Sequence, residues 1–374
     1  MSEILFVTWD GGGNLPPARG IATELASRGH RVRFLGHPGQ REAVAGAGLE
    51  FTAYRSARPF SSLSPGSPAE MIEMFGDRGM GRDLLAEHDD RPADLVVVDC
   101  LLFGALEAAR DAGLRYAVLE HLYDEYLHGG WLRGPLGQGM TAKGLDPLRS
   151  LDAAALTLVT TLPRLDPGSS RPHAGRLAFV GPVVSASPGV PSEPMVLVSL
   201  STYAFPGMTA CLQTILDATA DLEARVVTTT GPVIDPADLQ LPGNVEAHRF
   251  VPHAQLMPYA SLVVGHGGHG TTMQALAHDL PLVVMPLHPF LDQPMVGASV
   301  ERAGAGRVVS RDATAAELGP VIAEILADGP HRAAAAGLGT AIRALPGATN
   351  GADRIEAWLS SQPAAEPGHL AARY

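Results

Sequence analysis

The chain has 374 residues, 46% hydrophobic and 18% charged, the make-up of a globular protein with room for two domains and not of a disordered or fibrous one. A net charge of -12 sets a repulsive background against nucleic acid and anionic membrane, so neither is an expected partner. The two cysteines, Cys100 and Cys211, stand far apart in apolar or helical surroundings and read as buried free thiols, not as a disulfide framework or metal cluster. No stretch reaches the ~18 consecutive apolar residues of a membrane span, and no basic segment followed by an apolar run opens the chain, so a cytoplasmic protein is expected.

A first strand is predicted over Ile4 to Thr8, broken by Trp9-Asp10-Gly11-Gly12-Gly13-Asn14 before a helix from about Pro16 to Arg28, which Gly29 ends. A strand over Arg31 to Leu35 completes a βαβ unit, which demands a parallel sheet and a right-handed crossover. The glycine turn invites a dinucleotide reading. Against it, Pro16 occupies the third glycine position of that fingerprint, and the second strand ends Phe34-Leu35-Gly36-His37 with no acid to hold a ribose. A nicotinamide dehydrogenase is therefore disfavoured. Ser56 to Pro68 reads as a loop long enough to line a cleft, and Ala69 to His88 as a helix. Leu95 to Val98, apolar on both faces, reads as a central strand. It ends in Asp99, either a carboxylate at the ligand-binding edge of a doubly wound sheet or a cap for a helix near Leu102.

The strand Tyr116 to Leu119 leads into a segment holding His121, Tyr123 and Tyr126, then a long loop with Trp131. Aromatic residues are only 5% of the chain, so this cluster is either a surface for a flat, apolar ligand or the packing of the loop on its domain. Strands over Ala155 to Thr160 and Leu177 to Val180 close the first half. The proline-rich segment Gly181 to Pro194 has the composition of a linker. A second α/β series follows: strand Met195 to Leu200, turn Ser201-Thr202, helix Met208 to Thr219, strand Ala224 to Thr229.

The most informative stretch is Leu262 to Gln293, read as strand (Leu262 to Val264), glycine-rich turn, helix (Thr271 to Ala277) and strand (Leu282 to Met285). The glycines of Gly265-His266-Gly267-Gly268-His269-Gly270 let a ligand approach the main chain, and the helix N-terminus that follows suits a diphosphate. His266 is expected to add a hydrogen bond or a charge; a tight turn with a solvated histidine is the alternative. Read as metal ligands, His266 and His269 lack a neighbouring cysteine or carboxylate.

Phe250-Val251-Pro252-His253, His266-Gly267-Gly268-x-Gly270-Thr271, Pro281, Pro286 and Asp292-Gln293 together resemble the nucleotide-sugar signature of the family 1 glycosyltransferases, most of all the actinobacterial branch that glycosylates secondary metabolites. The resemblance implies the GT-B fold, two Rossmann-like doubly wound α/β domains facing across a cleft. It divides the chain into an acceptor domain (1–185), a nucleotide-sugar domain (186–348) and a last helix with tail (349–374) that returns to the first domain. Helices are predicted over Pro320 to Ala327, Arg332 to Ala344 and Asn350 to Leu359, with a disordered tail after Gln362.

The function implied is an inverting, metal-independent transfer of a sugar or deoxysugar from a nucleoside diphosphate to a small apolar acceptor, with no cofactor beyond the co-substrate. A nucleotide-sugar hydrolase or epimerase and a non-catalytic auxiliary partner stay open as alternatives, as does a homodimer. The donor contacts implied are Thr202, Phe250, Val251, His266, Gly268, Gly270, Thr271, Gln274, Asp292 and Gln293, with the Asp292-Gln293 pair on the sugar; a helix N-cap is the alternative for Asp292. Gln274 replaces the glutamate with which plant members grip both ribose hydroxyls, which favours thymidine over uridine diphosphate. Acceptor contacts are expected from Asn14, His121, Tyr123 and Trp131. The family's first-loop histidine base is Gly13 here, while Asp99 matches its orienting aspartate. Asp10 and Asp99 are thus the expected general bases, Asp10 preferred, with His121 third on a loop that reads as mobile.

Overall fold

The computed structural model describes residues 1–63, 67–172, 175–327 and 329–362; the tail expected to be disordered falls outside these from residue 363 on. The chain forms two parallel sheets. The first contains β1 (Glu3–Val7), β2 (Arg31–Gly36), β3 (Glu50–Ala53), β4 (Leu95–Asp99), β5 (Tyr116–Glu120), β6 (Leu156–Val159) and β7 (Leu177–Phe179), in the order 3-2-1-4-5-6-7. The second contains β8 (Met195–Ser199), β9 (Arg225–Thr229), β10 (Val245–His248), β11 (Leu262–Gly265), β12 (Leu282–Val284) and β13 (Gly306–Val308), in the order 10-9-8-11-12-13.

Buried parallel strands need apolar side chains on both faces, and β1 and β4 supply them alternately. Ile4, Phe6, Leu95 and Val97 join one apolar cluster, which also takes in Ile21 and Leu25 of the helix Leu15–Ser27. Leu5, Val7, Val96 and Val98 join the opposite one, and that cluster continues to Met195, Leu197 and Val263 of the second sheet, so the two domains share apolar packing.

Chain direction reverses its spread between β1 and β4 in the first sheet and between β8 and β11 in the second. At such switch points the loops leaving the strand ends part and open a crevice, the usual binding place of doubly wound sheets. The turn Trp9 to Asn14 and Asp99 lie at one, and Ser201-Thr202 and His266 to Gly270 at the other.

The helix Gly347–Ser361 packs on the helix Leu15–Ser27: a Cβ on Gly351 would stand 2.8 Å from Ile21, and Arg28 reaches Asp353 and Glu356 at 2.6 Å each. The closing helix thus lies on the first domain.

Several element boundaries differ from those the sequence suggests. The expected helix Ala69 to His88 is two, Pro68–Phe75 and Arg78–Asp90, because Gly76 ends the first and the Asp77 carboxylate caps the second by accepting from Gly79 N–H at 2.7 Å. The expected long loop around Trp131 is helical, with Asp124–Tyr126, a π turn over Leu127–Trp131 and a helix Pro135–Ala142. A helix expected from Pro320 starts at Ala315, where Thr314 and Glu317 form a reciprocal capping box.

Candidate active site between the two sheets

A cavity of about 660 Å³ opens between the two switch points. Its first-domain wall is apolar and aromatic, with Trp9, Phe75, Leu122, Tyr126 and Trp131. These rings brace one another: Phe75 packs edge-on against Trp9 and Trp131 at centroid distances of 5.1 and 5.8 Å. Its second-domain wall is polar, built from the turns after β8 and β11. A smaller hollow of about 410 Å³ elsewhere is lined by Asp217 and Asp221, whose charge repels a diphosphate.

The turn after β11 is held by Gly267 at φ +82°, where a Cβ would also meet Val284 at 2.8 Å, so only glycine fits. The helix His269–Ala277 starts there, and its first intrahelical bond runs from Thr272 N–H to Gly268 O at 3.0 Å. The amides of His269, Gly270 and Thr271 precede that bond and face the positive end of the helix dipole. Gly268, Gly270, Thr271 and Gln274 all line the cavity.

His266 is not the exposed, chargeable group the sequence suggested. It is 9% exposed, and burial pushes its proton affinity down to about 4, so the ring is neutral near pH 7 and acts as a hydrogen-bonding group. Its Nδ1 is buried without a partner, and so are Trp9 Nε1 and Asn14 Oδ1, all three on residues that line the cavity. Buried polar atoms left unpaired are costly, and these three all belong to residues around one hollow.

Thr202 and Val251 line the cavity, and a Cβ on Gly12 would stand 3.1 Å from Thr202 Oγ1, which shows how closely the two turns approach. Phe250 is 78% exposed at the rim, so one ring face is open. Asp292 stands at the N-cap position of the helix Gln293–Arg302 but makes no capping bond with its side chain. It lines the cavity, and burial pushes its carboxyl up to about 6 against the lowering effect of His121. Gln293 also lines the cavity, yet its Oε1 accepts from Leu287 N–H at 2.7 Å and His288 N–H at 3.2 Å; its Nε2 is the end those bonds leave over.

On the first-domain side, Asn14, His121 and Trp131 line the cavity, and Tyr123 does not. Tyr123 is fully buried, and its hydroxyl bonds Ser299 Oγ at 2.8 Å, so it ties the domains together. Tyr126 takes its place on the wall and donates to Phe290 O across the cleft at 2.8 Å.

Neither carboxylate expected to act as base reaches the cavity wall. Asp10 turns toward Gly39, on which a Cβ would stand 2.8 Å from its Oδ2. Asp99 is 5% exposed and engaged on both oxygens, accepting from Leu101 N–H and from Asn14 Nδ2, each at 3.0 Å. His121, read as part of a mobile loop, has a side chain only 12% exposed, with Nδ1 3.3 Å from Asp99 Oδ2. Asp99 pairs with Leu119 in parallel register, so residues just past the two strand ends must stand side by side. The sequence placed both residues at strand ends, but their pairing depends on a register that only the structure gives.

Comparison with known proteins agrees with this geometry. Residues 213–358 match the erythromycin biosynthesis protein CIII-like C-terminal domain. The 4'-demethylrebeccamycin synthase of Lentzea aerocolonigenes is 28% identical over 82% of this chain and 87% of its own. Among solved structures, the glycotransferase of kitacinnamycin superposes with a TM-score of 0.80 at 25% identity, covering 96% of this chain and 99% of its own. The calicheamicin glycosyltransferase gives 0.78 at 25% identity, covering 98% and 100%. Two parallel α/β domains closing on one cleft, with a glycine turn and helix N-terminus on its polar wall, define a GT-B protein. The chain is a glycosyltransferase of the GT-B type, and its residues 213–358 are similar to the EryCIII-like C-terminal domain. No helix among the described residues is long and apolar enough to cross a membrane.

The neutral state of His266 carries a prediction. A hydrogen bond to a charged group is worth about 1.5–3 kcal/mol, so His266→Ala should weaken nucleoside diphosphate binding by about 10- to 150-fold in calorimetry. Because the ring is buried, the variant should also melt at a lower temperature than the parent. Unchanged affinity would take the residue out of the diphosphate site.

Proposed function

We propose that the protein moves a sugar or deoxysugar from a nucleoside diphosphate, thymidine diphosphate preferred, to a hydroxyl of a small apolar natural product, with inversion and without a metal ion. The observation that carries this reading is the two-sided cavity, an aromatic wall facing an anion-binding turn. An acceptor held on the first-domain wall attacks the sugar from the side opposite the diphosphate, and a direct displacement of that kind inverts the sugar carbon. The amides of His269 to Thr271, the helix dipole, His266 and Thr202 would stabilise the charge that grows on the leaving diphosphate, the task a cation performs elsewhere. Asp292 and Gln293 Nε2 would hold sugar hydroxyls, and Phe250 the nucleobase. A hydrolase or epimerase has no use for the aromatic wall, which favours the transferase. The same reading assigns residues 1–185 to the acceptor, 186–348 to the donor and 349–374 to the returning segment.

Nucleotide titration followed by incubation with an acceptor panel tests it. Binding of thymidine diphosphate and transfer to a flat, apolar hydroxyl compound are expected; donor hydrolysis unaffected by every acceptor would favour the hydrolase instead.

The nucleoside preference has its own test at Gln274, whose Nε2 donates to Ser185 O at 2.5 Å, leaving Oε1 as a single neutral acceptor at the cavity. A carboxylate there accepts from both ribose hydroxyls, of which thymidine donors have one. Gln274→Glu should therefore shift the ratio of uridine to thymidine diphosphate affinity about tenfold toward uridine, roughly one hydrogen bond. The ratio is the proper readout, because the exchange also removes the bond to Ser185. Tighter binding of uridine diphosphate by the unaltered protein would overturn the preference.

A further inference from the structure

We infer that His121, held by Asp99, is the general base that takes the acceptor's proton, in place of the imidazole that Gly13 cannot supply. The inference rests on the transferase reading and assigns it a residue.

Four histidines line the cavity: His121, His253, His266 and His269. Three are unsuited to hold a proton near neutral pH. His253 has Nε2 3.1 Å from Thr229 Oγ1, His269 has Nε2 in a close contact with Thr161 Oγ1, and burial lowers the proton affinity of His253, His266 and His269. His121 differs in its surroundings. Its Nδ1 stands 3.3 Å from Asp99 Oδ2, so the proton belongs on Nδ1 and the lone pair on Nε2. Burial lowers its proton affinity, but Asp99, then Asp292 and Glu120, outweigh that and leave it raised. The other polar groups around it are Cys100, whose Sγ is 3.8 Å from Nδ1 and whose thiol burial holds protonated, and His269, neutral because burial and His121 itself depress it.

Asp99 has no such freedom. Leu101 N–H, Asn14 Nδ2 and His121 Nδ1 occupy its oxygens, which makes it a positioning residue. Asn14 fills the first-loop place beside Asp99, but an amide cannot accept the proton. The imidazole beside Asp99 in this chain therefore comes from the end of β5.

In the transfer step the acceptor O–H bond breaks and its proton passes to His121 Nε2. The oxygen forms a bond to the sugar carbon as that carbon's bond to the diphosphate oxygen breaks, and the electron pair leaves on the diphosphate. Asp99 stabilises the imidazolium that results.

The test is the pH profile of turnover at saturating sugar nucleotide, by transfer to an acceptor or to water, in the parent, His121→Gln and Asp99→Asn, with thymidine diphosphate affinity measured alongside. A positioned base contributes roughly 10²–10⁴-fold. The parent should lose turnover as pH falls through the raised His121 value, and His121→Gln should drop by about that factor and lose this limb, with nucleotide affinity unchanged. Asp99→Asn should keep the limb but move it to lower pH, which a purely structural defect would not do. Against an acidic phenol such as 4-nitrophenol the His121→Gln loss should shrink by at least tenfold. Full turnover and an intact limb in His121→Gln overturn the assignment while leaving the transferase reading in place. Failure of the parent to bind nucleotide or turn over donor overturns both.

Discussion

Asp292→Asn is expected to lower kcat/KM for the sugar nucleotide by about 10- to 150-fold while leaving the affinity for the bare nucleoside diphosphate within twofold. The residue sits at the start of the helix Gln293–Arg302, yet its carboxylate does not cap that helix, and the residue lines the cavity. A carboxylate that accepts from a sugar hydroxyl makes a charge-assisted bond worth about 1.5–3 kcal/mol, whereas the isosteric amide presents one acceptor and a competing donor. Because the proposed contact is to the sugar and not to the phosphates, the two affinities should separate. Burial pushes the carboxyl up to about 6, with His121 opposing the shift. The charged form therefore prevails above pH 6 and is lost below it, so sugar-nucleotide affinity in the parent should fall as pH drops through about 6. The Asn variant should lack that dependence. Equal losses for the sugar nucleotide and the bare diphosphate would place Asp292 on the phosphates or in the scaffold.

What the sequence made legible follows from local physics. Runs such as Leu95 to Val98 and Leu262 to Val264 announce buried parallel strands because both faces must be apolar, and the glycines of Gly265 to Gly270 announce a tight turn before a helix through backbone freedom. The helix from Ala315 was also legible, in Thr314 and Glu317, but Pro320 read as a start because a proline inside a helix gives up an amide bond. Side-chain direction was not legible. Asp10 and Asn14 share one turn, and only packing decides that Asn14 faces the cavity while Asp10 turns to Gly39. Tyr123 and Tyr126 are three positions apart on a segment read as loop; Tyr123 is extended backbone just before the helical turn and reaches Ser299, while Tyr126 lies in the turn and lines the cavity. The burial of His266 likewise depends on how the second domain closes over its own turn, a long-range fact that no local pattern carries.

Removing a charge outside the cavity should make the protein more stable. Glu120 ends β5, is fully buried, and neither of its carboxylate oxygens has a hydrogen-bond partner. Burial pushes its carboxyl up to about 7; His128, with Nε2 3.8 Å away, opposes this, and the negative charges of Asp124 and Asp166 add to it. In the unfolded chain the group ionises near 4.5. Between those values the folded state holds a proton that the unfolded state has released, so stability falls as pH rises from about 4.5 to about 7 and stays low above. The gap amounts to about 3 kcal/mol at ~1.4 kcal/mol per tenfold change in proton affinity. Glu120→Gln has the same shape and cannot ionise, so it should be more stable than the parent by about that amount at pH 8, with the difference closing by pH 4. Denaturant unfolding of both proteins across this range measures it. A variant less stable than the parent at pH 8 would mean that the ionised carboxylate is satisfied, and that His128 holds it as a true ion pair.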